Sequence, residues 1–452
     1  MPSKHSTLAA TLRQQIISRT RPAGDKLPSI RQMATEQRCS AATVIRAYEQ
    51  LIAEHYVYVL DRSGYYVAAH GPQQEALQQQ MLDLASAAPA AEIFPFADFQ
   101  SCLNQAMQLY RDQLFTYGMP QGLPALLKEV QQQLAEVQVF APLSRLYITS
   151  GVQQALSILT MMPFPGGRQS VMIEQPGYHL LMELLEALDV PIVQIERTVK
   201  GLDLAEVERW FRSGEIKFFY IMPRFHNPLG HSLRHADKKK LVALAARYDV
   251  YLVEDDYLAD LVQHTNADPL YAHDLSQHVI YLKSYSKMLF PGLRIGAAVL
   301  PEPLQASFAR YKNLLDIDSS MLSQAALHMY IHNGMFARYR RLLLDAYHRR
   351  SRQLHKTLQE LVPVCALFAD VHHVDAIHAV IPLPAHFPTK ALIRQLAEQQ
   401  LIADSLERYF LPDSPYSWNG LRINVSNVPE ERIPTALHTV ATQINKLWIT
   451  SN

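Results

Sequence analysis

The chain has 452 residues, 48% of them apolar and 19% charged, with 42 basic and 42 acidic side chains that cancel. That length is more than one core can use, so two or more domains are expected. Three scattered cysteines argue against a disulfide framework, and with no apolar stretch of signal-peptide type in the opening residues and no uncharged apolar run of about 18 residues, neither a signal peptide nor a membrane span is expected.

A cytoplasmic protein is therefore expected. The zero net charge conceals an asymmetry: residues 1–69 hold nine Lys/Arg and five Asp/Glu, a net +4 that the remainder balances at −4. A small basic module on a slightly acidic body suits a partner rich in phosphates.

In chain order, Leu8, Leu12, Ile16 and Ile17 recur at helical spacing. Pro22, Gly24 and Pro28 break the pattern, and Ser29 is placed to cap a short helix running to about Glu36. Ser40 is placed to cap a third helix from Ala41 to about Glu54. From Tyr56 the period becomes two: Tyr56–Leu60 and Tyr65–Ala68 flank Asp61-Arg62-Ser63-Gly64, which predicts a hairpin. Together these elements predict a winged helix-turn-helix over residues 1–69, with the third helix entering the major groove of double-stranded DNA. Thr43 and Arg46 share one face of that helix, while Val44, Ala47 and Leu51 can face a core. The free amides at the starts of both short helices can bind phosphate.

Residues 70–92, rich in Gln, Ala and Pro, read as a partly helical linker. Over residues 93–452 strand-like runs alternate with helical patterns: Ser170–Ile173, Pro191–Ile195, Phe218–Met222, Tyr251–Val253, Val279–Leu282 and Ala297–Leu300. That alternation predicts an α/β body with a mostly parallel sheet covered on both faces. Long helices follow over 304–360, and strands at Ala376–Pro382 and Leu421–Val425 indicate a small C-terminal subdomain. The 19 histidines show no metal-ligand spacing, so no metal is expected.

The N-terminal stretch Pro22-Ala23-Gly24-Asp25-Lys26-Leu27-Pro28-Ser29-Ile30-Arg31 and the turn Ser63-Gly64-Tyr65-Tyr66-Val67 resemble the GntR family. The resemblance implies operator contacts from Arg31, Ser40, Thr43, Arg46, Arg62 and Gly64. In the body, Thr116–Gly122, Thr149–Gln154, Glu174–Tyr178, Pro223–Gly230, Glu254–Tyr257, Ser284–Lys287, Pro291–Arg294 and Leu421-Arg422 come in one order. That series resembles the fold-type I aminotransferases, which depend on pyridoxal 5′-phosphate. The combination resembles the MocR-type transcriptional regulators, and it implies a homodimer with a small-molecule effector.

What the resemblance implies has a chemical reason at each position. Lys287 supplies the amine for a Schiff base with the cofactor aldehyde. Asp255, closing a strand, keeps the pyridine nitrogen protonated. Asn227 and Tyr257 serve the phenolic oxygen, and Tyr178 stacks on the ring. Ser150, Gly151, Val152 and Gln153 open a helix whose free amides suit the phosphate, to which Ser284 and Arg294 add a hydroxyl and a charge. Tyr117 reaches the phosphate of the neighbouring subunit. Arg422 is placed to clamp a substrate or effector carboxylate.

Some wording departs from the aminotransferases. His226 and Leu229 replace commoner residues, Val374-Asp375-Ala376-Ile377-His378 lacks a Gly-Leu-His turn, and Ala403–Arg408 lacks the small Pro-Gly residues near substrate. These departures favour a sensor, either of the cofactor or of its adduct with an amino compound. A working aminotransferase with an accessory DNA-binding domain is the alternative.

Overall fold

The computed structural model describes residues 4–17, 20–22, 24–54, 56–60, 63–68, 81–261, 268–372 and 376–451. The chain divides into two compact units, Met1–Leu82 and Asp83–Asn452.

The first unit holds helices α1 (Lys4–Ile17), α2 (Ile30–Glu36) and α3 (Ala41–Ala53), then strands β1 (Val57–Leu60) and β2 (Gly64–Val67). Both short helices start where their caps dictate. Ser29 Oγ accepts from Gln32 N at 3.3 Å, and Ser40 Oγ accepts from Thr43 N at 3.2 Å. One amide of each helix is thereby consumed, leaving fewer for phosphate than the sequence suggested. β1 and β2 pair antiparallel, and Leu27 N donates to Tyr65 O at 2.8 Å, so the loop before α2 lies along the hairpin. Arg13 Nε donates to Glu54 Oε2 at 2.9 Å, tying α1 to the end of α3. The core gathers Leu8, Leu12, Met33, Val44, Ala47, Leu51 and Val67.

A core this small has little to spare. Leu51 is fully buried, and Leu51→Ala is expected to cost about 2–5 kcal/mol. Urea unfolding should then show an early transition for the N-terminal unit, with the body's transition unmoved. Superimposable curves for variant and wild type would contradict this packing.

In the second unit the first elements are helices α4 (Phe96–Leu109) and α5 (Pro124–Glu136). Strands β3 (Leu146–Thr149), β4 (Ser170–Gln175), β5 (Ile192–Thr198), β6 (Gly201–Leu202), β7 (Ile216–Ile221), β8 (Tyr251–Asp255), β9 (Val279–Ser284) and β10 (Gly296–Val299) form one sheet, ordered β3-β10-β9-β8-β7-β4-β5-β6. β9, β8, β7, β4 and β5 run parallel, whereas β10 opposes both its neighbours.

The interleaved helices are α6 (Val152–Met161), α7 (His179–Ala187), α8 (Leu204–Ser213) and α9 (His235–Tyr248). Alternation along β7 explains its unbroken apolar run. Phe218 and Tyr220 face a cluster with Ala155 and Leu159 of α6, and Phe219 and Ile221 face one with Val207 of α8 and Leu241 of α9.

Helices α10 (Glu302–Leu315), α11 (Met321–His332) and α12 (Met335–Glu360) fill residues 302–360. The C-terminal part adds β11 (His378–Pro382), α13 (Thr389–Glu398), β12 (Asp404–Ser405), β13 (Gly420–Asn424) and α14 (Ile433–Ser451). Its sheet is antiparallel, in the order β11-β13-β12.

The linker expected over 70–92 is shorter than its composition suggested. Leu84 is fully buried, its amide donates to Ile402 O at 2.8 Å, and its carbonyl accepts from Asn424 N at 2.7 Å. Ser426 Oγ donates to Ala88 O at 2.8 Å. Backbone groups of Leu84 and Ala88 are thus paired with the body; 69–80 lie outside the described residues. Among the described residues no helix is long and apolar enough to cross a membrane.

Candidate functional site

In the N-terminal unit, Arg31, Ser40 and Arg46 are exposed, Thr43 and Gly64 are half-buried, and Arg62 lies outside the described residues. The Ser40 and Thr43 hydroxyls lie 2.9 Å apart, so their first role is to fix the start of α3. Arg46, one turn on, is the exposed cation of that face. Gly64 has φ +120°, a left-handed backbone that favours glycine, and a Cβ there would come within 3.2 Å of Lys26 Cε. Lys26 in turn lies over the Tyr66 ring at 5.8 Å, and Tyr66 stacks on Tyr58 at 5.7 Å. Sequence reasoning missed this cation–aromatic brace of the hairpin, because it needs the loop before α2 laid along β2.

In the body, the candidate residues gather beyond the carboxyl ends of parallel strands, where open α/β sheets place their crevices. Asp255 ends β8 and is buried; Tyr220 donates its hydroxyl to Asp255 Oδ2 at 2.7 Å, while Oδ1 has no hydrogen-bond partner. Burial raises the carboxyl's pKa to about 7, against the Tyr220 hydrogen bond, and Asp256 and Lys287 adjust it in opposite senses. The adjoining Asp256 is already satisfied: Arg224 Nε donates to it at 3.1 Å and Tyr281 at 2.6 Å. Lys287 follows β9 in a turn; burial, with the Arg422 charge adding to it, pulls its pKa down to about 8, opposed by Asp255.

Gly151 caps α6 with φ +83° and offers no capping side chain, so no side chain occupies the helix's first amides. A Cβ at Gly151 would come within 3.0 Å of the Arg294 guanidinium. Arg294 Nη2 donates to Ser150 O at 3.2 Å, which holds that charge beside the helix end. Val152 opens the helix, and Ser284 ends β9 with its hydroxyl accepting from Ser286 N at 3.3 Å. The Tyr178 and Tyr220 rings stack at 6.4 Å, with burial first and Asp255 second lifting the Tyr178 hydroxyl to about 12.

The remaining candidate side chains lie in distinct environments. The Tyr257 hydroxyl donates to Phe225 O at 2.7 Å, so its proton is spent on the backbone. Ser150 Oγ donates to Asp316 Oδ2 at 2.9 Å, and Gln153 turns its amide to Leu180 O at 3.4 Å, leaving the backbone amides rather than these side chains as donors. Tyr117 is 85% exposed and contributes nothing to the site of its own chain. Arg422 is buried, and its Nη1 donates to Ala85 O at 2.6 Å while its Nε has no partner.

The gntR family of bacterial regulatory proteins matches residues 4–67, and the class I and II aminotransferases match residues 79–440. YcxD of Bacillus subtilis (strain 168), described as an uncharacterized HTH-type transcriptional regulator, is 48% identical over 433 residues, covering 95% of this chain and 97% of its own. The probable rhizopine catabolism regulatory protein MocR of Rhizobium meliloti is 28% identical, covering 86% and 82%. The chain belongs to the MocR-type transcriptional regulators.

Its body shares the fold of Pyrococcus horikoshii kynurenine aminotransferase, with TM-score 0.72 and 22% identity over 83% of this chain and 95% of that one. Two departures of this MocR-type chain from aminotransferase wording acquire structural roles. His226 lies 3.5 Å from the buried Glu174 carboxylate, and its carbonyl accepts from His378 Nε2 at 3.1 Å. The segment carrying Asn227 is thereby tied to both β4 and β11. Asn227 itself is half-buried, with an Oδ1 that has no partner. Two clusters of His and carboxylate side chains lie outside the crevice: His328 and His332, four apart on α11, meet Glu129 of α5, and His235 and His273 meet Asp268. The third group of the first cluster comes from a distant helix, which spacing along the chain does not reveal.

Proposed function

We propose that this regulator binds pyridoxal 5′-phosphate in the crevice around Lys287 and Asp255, and that the bound cofactor, alone or with an amino compound, governs how the N-terminal unit binds its operator. The observation that carries the reading is the buried Asp255 Oδ1 with no partner beside a desolvated lysine. An orphaned buried carboxylate oxygen costs free energy unless a donor arrives, and a ring N–H is such a donor. The cleft on α6 fits a phosphate, with Gly151 leaving it open and Arg294 at its side. When bound, the cofactor supplies an aldehyde and an electron-accepting ring.

This chain's residues would then act in defined ways. Lys287 presents a neutral amine to the aldehyde, Asp255 holds a proton on the ring nitrogen, and Tyr178 covers a face. Asn227 Oδ1 and its amide lie in the segment fixed by His226. Arg422, with its unpartnered Nε, is the group for an effector carboxylate. Phe115, Tyr117 and Met119 are 88%, 85% and 59% exposed, an apolar group that suits burial against a second copy of the chain.

The lowered lysine pKa fixes a pH dependence. The amine is charged below about 8 and neutral above it, so the rate of cofactor attachment should rise with pH and level off above 8. Stopped-flow absorbance from pH 6 to 10 reads this directly. A rate still climbing steeply at pH 10 would mean an ordinary, solvated lysine.

A working aminotransferase is the second reading, favoured by the buried Arg422. Incubation of the pure protein with amino donors and 2-oxoglutarate separates the two. Cofactor binding without sustained turnover is expected; turnover of about 1 s⁻¹ or more, as in ordinary enzymes, would overturn the sensor reading.

A further inference from the structure

Helix α11 carries His328 and His332 four residues apart, which places both rings on one side of the helix. Their centroids are 5.5 Å apart with planes inclined at 31°. Glu129 reaches them from α5, its Oε1 2.9 Å from His332 Nδ1. Ligand atoms of the three groups all lie within 4.8 Å of one another. Two donors of a tetrahedral zinc ion at 2.0–2.1 Å are separated by about 3.4 Å, so side-chain rotation alone can close the gap. We propose that Glu129, His328 and His332 form a binding site for a divalent transition-metal ion of the zinc type.

Three further observations support it. Tyr110 OH lies 2.8 Å from His328 Nδ1, the outer hydrogen bond that orients metal-bound imidazoles. The donor set of two imidazoles and one carboxylate selects zinc, nickel or cobalt over magnesium or calcium. The His332 side chain is 62% exposed, so the ion has an entry path and a fourth position open to water.

The ion would brace two segments next to the cofactor crevice. α5 follows the Tyr117–Gly122 stretch, and α11 follows Asp316, which accepts the Ser150 hydroxyl. The site needs no cofactor and stands independently of the proposed function.

The second triad serves as the internal control. His235 Nδ1 lies 3.9 Å from Asp268 Oδ2, and the ring of His273 packs on His235 at 4.9 Å. Lys238 Nζ donates to Asp268 O at 2.6 Å, and a positive charge that close to the triad repels a cation.

The test is a zinc chloride titration of the full chain, stripped first with EDTA, read by calorimetry and by thermal unfolding. Glu129→Gln, His332→Gln and His273→Gln are compared, each checked for wild-type circular dichroism. The wild type and His273→Gln should bind one ion and gain unfolding temperature with zinc, while Glu129→Gln and His332→Gln should bind more than about tenfold more weakly. The His332 side chain is 62% exposed and both replacements are close in size to the residues they replace, so these variants are expected to retain the fold. No zinc-dependent rise in the wild type, or binding that survives both substitutions or vanishes with His273→Gln, would overturn the proposal.

Discussion

Lys287→Ala is expected to abolish the visible absorption of cofactor-loaded protein, because Lys287 is the amine proposed to bond the aldehyde. Lys287 is half-buried, in a field set by burial, Arg422 and Asp255. Removing it relieves the repulsion from Arg422 but leaves Asp255 without its cation, so the Asp255 carboxyl should move above its present value of about 7. Fold and dichroism should persist, since the substitution removes a desolvated amine from a crevice rather than an apolar group from the core. Borohydride treatment followed by peptide mass mapping should tag Lys287 in the wild type. A yellow variant with an unchanged spectrum, or a tag on another lysine, would refute the assignment.

The second large effect concerns DNA. Thr43→Ala with Arg46→Ala should weaken operator binding by about 1–3 kcal/mol for each good hydrogen-bonded pairing with a base that is removed. The cofactor spectrum should stay untouched, because the two residues belong to the separate N-terminal unit. Thr43 has a second role that must be separated from base recognition. Its hydroxyl pairs with Ser40 at 2.9 Å at the start of α3, so Thr43→Ala removes that partner of the capping hydroxyl while the capping bond from the Thr43 amide to Ser40 Oγ remains. Arg46→Ala alone leaves the cap intact and isolates the charge. Operator affinity measured at two salt concentrations tells base from phosphate: a side chain that binds phosphate flattens the salt slope when it is truncated, and one that reads a base does not. Wild-type affinity in the double variant would mean that α3 is not the reading helix.

What could be read from the chain and what could not divides along sequence distance. Ser29 and Ser40 were legible as caps because a cap acts within three residues. The strands were legible because parallel strands buried on both faces give unbroken apolar runs, as in Ile216–Ile221. Asp255 and Lys287 were legible as motif residues closing or following such runs. The bonds that set the crevice's details were not. Arg422 meets Ala85 across 337 residues, Ser150 meets Asp316 across 166, and His332 meets Glu129 across 203. No local pattern encodes such pairs; only the sheet order brings them together. Residues 83–92 were read as linker because their apolar content is thin, yet Leu84 and Ala90 suffice to seat them. The direction of the Tyr257 hydroxyl toward Phe225 O is likewise a product of packing.

The central claim is that cofactor and operator sense each other through one chain. Linkage makes it testable: if cofactor changes operator affinity by some factor, operator must change cofactor affinity by the same factor. The decisive measurement is a titration of the full-length protein with pyridoxal 5′-phosphate, with and without saturating operator DNA, paired with operator binding with and without cofactor. The account predicts that both ratios are equal and differ from one by about 5–150-fold, the span of ordinary couplings. Dissociation constants that are the same with and without the partner ligand, in both directions, would contradict it and leave the aminotransferase-like body without a role in sensing the cofactor.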